Sequence, residues 1–140
     1  MIVPPSGPKN AKIAIVGMAP AREEVATGIP FMGASGQVLN KSLAKLGIKR
    51  SDVYVTNVHD SFLQPGTSLF SLPENTRTLS TQRLKHELEQ VSPNVCIPLG
   101  DEPLYFPAGL RGIQKWRGSC LSSTLVSGLK CVPSVHPAWI

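Results

Sequence analysis

Apolar residues along this chain fall into two patterns: short unbroken runs, and stretches in which they recur every three or four positions. Lys12-Ile-Ala-Ile-Val-Gly17 is a short β-branched run closed by glycine, which predicts a buried strand. Residues 18–33 are rich in turn formers, among them Pro20, Gly28 and Pro30, and predict a shaped loop. Leu39, Leu43 and Leu46 repeat at helical spacing, giving a helix over 34–46 that Gly47 stops. Asp52-Val-Tyr-Val-Thr-Asn57 is a second strand, and residues 59–75, with Pro65, Gly66 and Pro73, form a long surface loop. Leu84, Leu88 and Val91 share one face of a helix over 76–91, ended by Ser92-Pro93. Residues 94–99 make a third strand closed by Gly100, and residues 115–122 and 129–135 two more, joined by a Ser/Gly turn.

Strands alternating with helices predict βαβ units, and so a three-layer α/β/α sandwich around a mainly parallel sheet. No linker or internal repeat interrupts the chain, so a single domain over 1–140 is expected. In such a sheet ligands bind at the carboxyl ends of the strands. Three segments leave those ends: residues 18–33, residues 58–75 and the segment beginning at His136. The composition agrees, since 140 residues with 41% hydrophobic and 16% charged side chains suit one globular domain. No apolar stretch is long enough for a transmembrane helix, and the N-terminus lacks the regions of a secretory signal. The expectation is a cytoplasmic protein, or one located wherever its substrate is, with no membrane partner. Fourteen Lys and Arg against nine Asp and Glu give a net charge of +5, compatible with DNA binding and equally with scattered basic surface residues.

Cys96, Cys120 and Cys131 form no CxxC pair. Cys96 lies in an apolar run and reads as a buried, inert thiol. A disulfide between Cys120 and Cys131 would need adjacent strands, and cysteines without a framework suit a reducing compartment. Nucleophile-elbow, zincin, EF-hand and zinc-ligand spacings are absent, so no metal is expected. Gly33-Ala-Ser-Gly36 sets backbone N–H groups at a helix N-terminus, which suits a phosphate as readily as it makes a plain cap. Phe31 can stack a base or plug the core. Asn57 can offer a donor and an acceptor to a pyrimidine edge or cap a turn. His136, fixed by Pro137, can steady a developing oxyanion or serve the structure alone.

Taken in order, Gly17-Met-Ala-Pro20, Gly28-Ile-Pro-Phe-Met-Gly-Ala-Ser-Gly36, Leu46-Gly-Ile-Lys-Arg50 leading to Val53-Tyr-Val-Thr-Asn-Val58, Pro93 to Gly100, Arg117-Gly118 and Pro133-Ser-Val-His-Pro137 resemble the uracil-DNA glycosylase superfamily, in particular its iron–sulfur (family 4) branch. The resemblance runs from Ile13 to Trp139 and implies that family's α/β/α fold. It also implies that a deoxyuridine is flipped out of DNA into a pocket at the strand ends. Met18 and Ala19 would line that pocket, Phe31 would stack on the uracil ring, and Asn57 would bond its N3 and O4 edge. His136 would stabilise charge on the departing uracil near O2. Gly33, Ala34, Ser35 and Gly36, with Ala138 after the His-Pro motif, would grip phosphates.

Several positions depart from the family pattern. The places where its branches carry a water-positioning acid read Met18, Ala19 and Ala34; Glu23, Glu24 and Asp60 are the acids near them in sequence. The N-terminal pair of cluster cysteines has no counterpart before Ile13, and the later two places read Ser61 and Ser80, so no iron–sulfur cluster is expected. Relatives continue past the place of Ile140, which implies a domain cut short at its C-terminus or one domain of a longer chain, otherwise a monomer. Two functions follow as expectations. One is a uracil-DNA glycosylase-like base-excision repair enzyme that hydrolyses the N-glycosidic bond of uracil in DNA. The other is a catalytically impaired DNA-binding module of a replication or phage DNA polymerase-related protein. A small α/β protein acting on free nucleobases or nucleotides is the third, blander reading.

Overall fold

The computed structural model describes residues 2–135. Among them, β1 (Ile13–Gly17), β2 (Tyr54–Asn57), β3 (Val95–Pro98), β4 (Leu121–Ser122) and β5 (Lys130–Cys131) form one sheet in the order β2-β1-β3-β5-β4. The first three pairings are parallel and only β4 runs antiparallel to its neighbour. Side chains alternate across the strands and so feed two cores. Ala14, Val16, Tyr54 and Cys96 pack with Leu84 and Leu88 of α3 (Glu74–Val91) and Leu104 and Phe106 of α4 (Asp101–Ala108). Ile15, Val53 and Val55 pack with Leu39 and Leu43 of α2 (Gly33–Lys45) and with Phe31. A sheet covered on both faces is the expected sandwich.

Five elements differ from the sequence reading. The loop over 18–33 contains a short helix, α1 (Arg22–Thr27), because Glu24 accepts the Ala21 N–H at 3.0 Å and Gly28 closes the other end in the left-handed conformation. The loop over 59–75 contains a 3₁₀ turn, Leu69–Ser71, seated on Glu102, which accepts the Leu69 N–H at 2.6 Å. Residues 101–108 are helical despite two prolines; Pro103 lies in the first turn, where its missing N–H removes no helical bond. The expected strand over 115–122 is mostly not a strand. Ile113–Trp116 forms a helical turn, α5, after Asp101 accepts from the Gly112 N–H and from Arg111, and only Leu121–Ser122 pair. The next strand is likewise short, with Ser134 bridging back to Leu99 beyond Pro133, which has no N–H to give.

The outer edge of β2 is covered by the N-terminal segment. Ser6 donates to the Val55 carbonyl at 2.9 Å and accepts from the Val55 N–H at 2.7 Å. Among the described residues no helix is long and apolar enough to cross a membrane. All three cysteines are free; Cys131 sits opposite Cys96 across β3 and β5 in the core, while Cys120 is exposed, so no disulfide joins Cys120 to Cys131.

Leu84 is wholly buried on α3 whereas Leu79 is 59% exposed on the same helix. Leu84→Ala is expected to lower the unfolding free energy by about 2–5 kcal/mol, and Leu79→Ala to stay within about 0.5 kcal/mol of the parent. Urea denaturation followed by circular dichroism measures both.

Candidate active site at the carboxyl ends of the strands

The parallel register sets Gly17, the last residue of β1, beside Asn57, the last residue of β2. A Cβ at Gly17 would lie 2.5 Å from Asn57 Oδ1 and 2.6 Å from Cε2 and Cζ of Phe31. The glycine is therefore what lets an amide and an aromatic ring come together at the end of the sheet. Both are buried, Phe31 at 6% and Asn57 at 6% exposure.

Phe31 holds this place in a left-handed backbone conformation, φ 55°, which costs a non-glycine residue on the order of 1–3 kcal/mol. Two neighbours enforce it. Arg50 donates to the Pro30 carbonyl, to the Phe31 carbonyl at 3.2 Å and to Asn40 Oδ1 at 3.1 Å. Burial lowers the pKa of this guanidinium, the cost of placing it under the loop. Gly36 closes the turn: a Cβ there would lie 1.9 Å from the Phe31 carbonyl oxygen.

Asn57 is held from behind. Arg83 of α3 donates to the carbonyls of Asn57 and Val58, each at 2.7 Å, pairs with Glu87, and faces Asp60 at 3.4 Å. Glu87 accepts the Thr56 hydroxyl at 2.6 Å. Burial, with the Glu87 carboxylate adding, raises Tyr54 well above the ordinary phenol value. Beyond the strands, Gly17 and Met18 accept from the N–H groups of Val58 and His59 at 2.9 and 3.0 Å, so the two loops leave the sheet tied together. His59 lies 3.4 Å from Ser80 Oγ, and burial lowers its pKa, opposed by Asp60 and assisted by Arg83.

The structure brings Phe31 and Asn57 together and places Met18 and Ala19, both half-buried, on the loop beside them. Gly33, Ala34, Ser35 and Gly36 form the first turn of α2, whose cap residue Met32 supplies no side-chain hydrogen bond. Gly36 has a further part that its sequence did not suggest, the packing under Phe31. His136 and Ala138 lie outside the described residues. Before them, Ser134 donates to the Pro98 carbonyl at 3.0 Å and accepts from the Gly100 N–H at 2.9 Å. Arg83, Glu87 and Gly17 as a steric vacancy were not found from sequence; Arg50 was, but only inside a motif.

A four-thiolate donor set is not assembled here. Cys96 and Cys131 are side by side in the core, Cys120 is exposed on another segment, and Ser61 and Ser80, at the places where the resemblance implies cluster ligands, are hydroxyl residues. Among the described residues no group of three or more His, Cys, Asp or Glu could hold a metal ion.

The chain matches the model of the uracil DNA glycosylase superfamily over residues 4–140. It is similar to two proteins named type-4 uracil-DNA glycosylase: one from Archaeoglobus fulgidus, 40% identical over 98 residues, covering 70% of this chain and 48% of that protein; the other from Thermotoga maritima, 31% identical over 148 residues, covering 99% and 71%. It also resembles a protein named DNA polymerase from Bacillus phage SP01, at 30% identity over 139 residues, 94% of this chain but 14% of that one. The chain thus spans about half the length of the first of these relatives. The family match takes in every described strand of the sheet together with Phe31 and Asn57, and the chain belongs to the uracil DNA glycosylase superfamily.

Proposed function

We propose that this chain hydrolyses the N-glycosidic bond of uracil in DNA, as a base-excision repair glycosylase. The observation that carries the reading is the meeting of the Asn57 amide and the Phe31 ring over Gly17 at the carboxyl end of a parallel sheet. An amide can donate to uracil O4 and accept from N3–H at once, whereas cytosine presents the opposite pattern, an N4 donor and an N3 acceptor; thymine offers the same edge as uracil and differs by its C5 methyl. Phe31 supplies the flat apolar face for a flipped base, and Met18 and Ala19 the rest of the wall. His136 is assigned to O2, where negative charge grows as the C1′–N1 bond lengthens. The N–H groups of the first turn of α2, from Gly33 through Ala34 and Ser35 to Gly36, with Ala138, receive DNA phosphates.

The partner in this reading is DNA, met by a single domain over 1–140 that works as a monomer or within a longer chain in the cytoplasm. No iron–sulfur cluster takes part, since the thiolates that would hold it are missing. A second reading is favoured by Met18, Ala19 and Ala34, none of which can hold water as a carboxylate does, and by the likeness to the phage DNA polymerase. There the pocket binds DNA and the hydrolysis is gone.

Excision from an oligonucleotide carrying one uracil, followed by alkaline cleavage, separates the two. The glycosylase reading expects product, with Asn57→Ala and Gly17→Ala each lowering kcat by about 10²–10³-fold while the circular dichroism of the protein is unchanged. Salt-sensitive binding without any product would establish the DNA-binding module instead. The purified protein is expected to show no visible absorption band and no iron by metal analysis. Excision should be the same after dialysis against a chelator; an activity lost with the chelator and restored by iron and sulfide would reverse the assignment of a cluster-free enzyme.

A further inference from the structure

Resting on the glycosylase reading, we propose that the attacking water is held and deprotonated by Glu23, a carboxylate delivered from α1 in place of the absent acids at Met18, Ala19 and Ala34. Hydrolysis at C1′ needs a nucleophilic water, and three carboxylates lie on the described loops around the site: Glu23, Glu24 and Asp60. Their surroundings separate them. Glu24 is 9% exposed and its Oε1 receives the Ala21 N–H at 3.0 Å, so it closes the first turn of α1. Asp60 faces Nε of Arg83 at 3.4 Å, a guanidinium that also holds Glu87 and the Asn57 and Val58 carbonyls; it is kept on the α3 side of the sheet.

Glu23 goes the other way. Its Cγ and Cδ lie 3.5 Å, and its Oε1 3.7 Å, from the position that a Cβ on Gly33 would take. Gly33 stands two residues after Phe31 and next to Ala34, and its missing side chain leaves that place open. The carboxylate therefore reaches the turn that follows Phe31. A longer side chain from a neighbouring helix thus puts a carboxylate at Gly33, the residue before one of the places where the family pattern carries an acid. Glu23 is exposed, so a water can reach it from solvent.

In the step assigned to it, the water oxygen bonds to C1′ as the C1′–N1 bond breaks, and the bond pair leaves on the uracil ring. The water proton passes to the Glu23 carboxylate and then to solvent, and the uracil anion takes a proton from solvent.

The test is single-turnover excision by the full chain and its Glu23→Gln, Glu23→Asp and Glu24→Gln variants, with DNA affinity measured on the same oligonucleotide. Glu23→Gln is expected to lower the chemical rate by about 10²-fold or more with affinity changed less than threefold, and Glu23→Asp to recover part of the rate. Glu24→Gln should lower the melting temperature more than the rate. Equal rates for Glu23→Gln and parent would overturn the assignment while leaving the glycosylase reading intact, as would tighter DNA binding with an unchanged rate, which would make Glu23 only a guard of the phosphate seat. Absence of product from the parent protein would instead remove the glycosylase reading itself, and Glu23 with it. Should Glu23→Gln fail to fold, Glu23→Asp and a folded Glu23→Ala decide: a faster rate in Glu23→Asp than in Glu23→Ala supports the role, and equal loss in both overturns it.

Discussion

The site depends on a side chain that is not there. Because β1 ends at Gly17 without a Cβ, the amide of Asn57 and the ring of Phe31 can occupy the same few ångströms above it. The parallel register supplies the other half of the constraint. Tyr54 and Thr56 face α3 and Val55 faces α2, so Asn57 is turned to the α2 side, where Phe31 lies. A slip of one residue would send Asn57 into the other core and bring Thr56, already bonded to Glu87, toward the ring. The hydrophobic pattern of β2 thus fixes the direction of a polar group at its end.

Holding an amide and an aromatic ring in so small a space works against local preference, and two arginines offset the cost from opposite sides of the sheet. Arg50 lies under the strained turn and bonds the carbonyls of Pro30 and Phe31. Arg83 bonds the carbonyls of Asn57 and Val58. Hydrogen bonds from a charged donor are worth about 1.5–3 kcal/mol each, enough to offset a left-handed phenylalanine. Both guanidiniums act on backbone carbonyls, so the side chains that would face a base remain uncommitted to them. Rigidity at the site is built behind it.

Much of this was legible in the sequence, and the missing parts share a cause. The β1, β2 and β3 runs and the α2 and α3 repeats could be read because burial imposes a period on them. The helix over 101–108 has no such period: it is nearly all apolar, carries two prolines, and is fixed at its start by Asp101 and Glu102 bonding to distant loops. The last strands are two residues long, too short for alternation to register. At the site, Asn57 and Phe31 stood out by residue type and place. Arg83 did not, because one arginine on an exposed-looking helix is indistinguishable in sequence from a solvated charge; only the crossover that lays α3 behind β2 gives it carbonyls to bind. Gly17 was visible as a turn former, and its steric role follows from a ring fourteen residues away.

The serines at Ser61 and Ser80 and the covering of the β2 edge bear on each other. In the iron–sulfur branch, as the resemblance has it, thiolates would join a stretch before β1 to the positions here occupied by Ser61 and Ser80. This chain joins the same regions through its backbone: Ile2 bridges Ser61, the Val3 N–H donates to the Asp60 carbonyl at 2.7 Å, and Ser6 pairs with Val55. Each such bond contributes roughly 0.5–1.5 kcal/mol net, and they fall at two places, on Val55 within β2 and on Asp60 and Ser61 in the loop that follows it. That loop carries His59 and Asp60, which are tied to Met18 and Arg83. A strand-like arm can therefore hold the second loop of the site in register with the first without a metal centre. What it provides is alignment of the loop at the end of β2, and alignment is what an amide at that end requires.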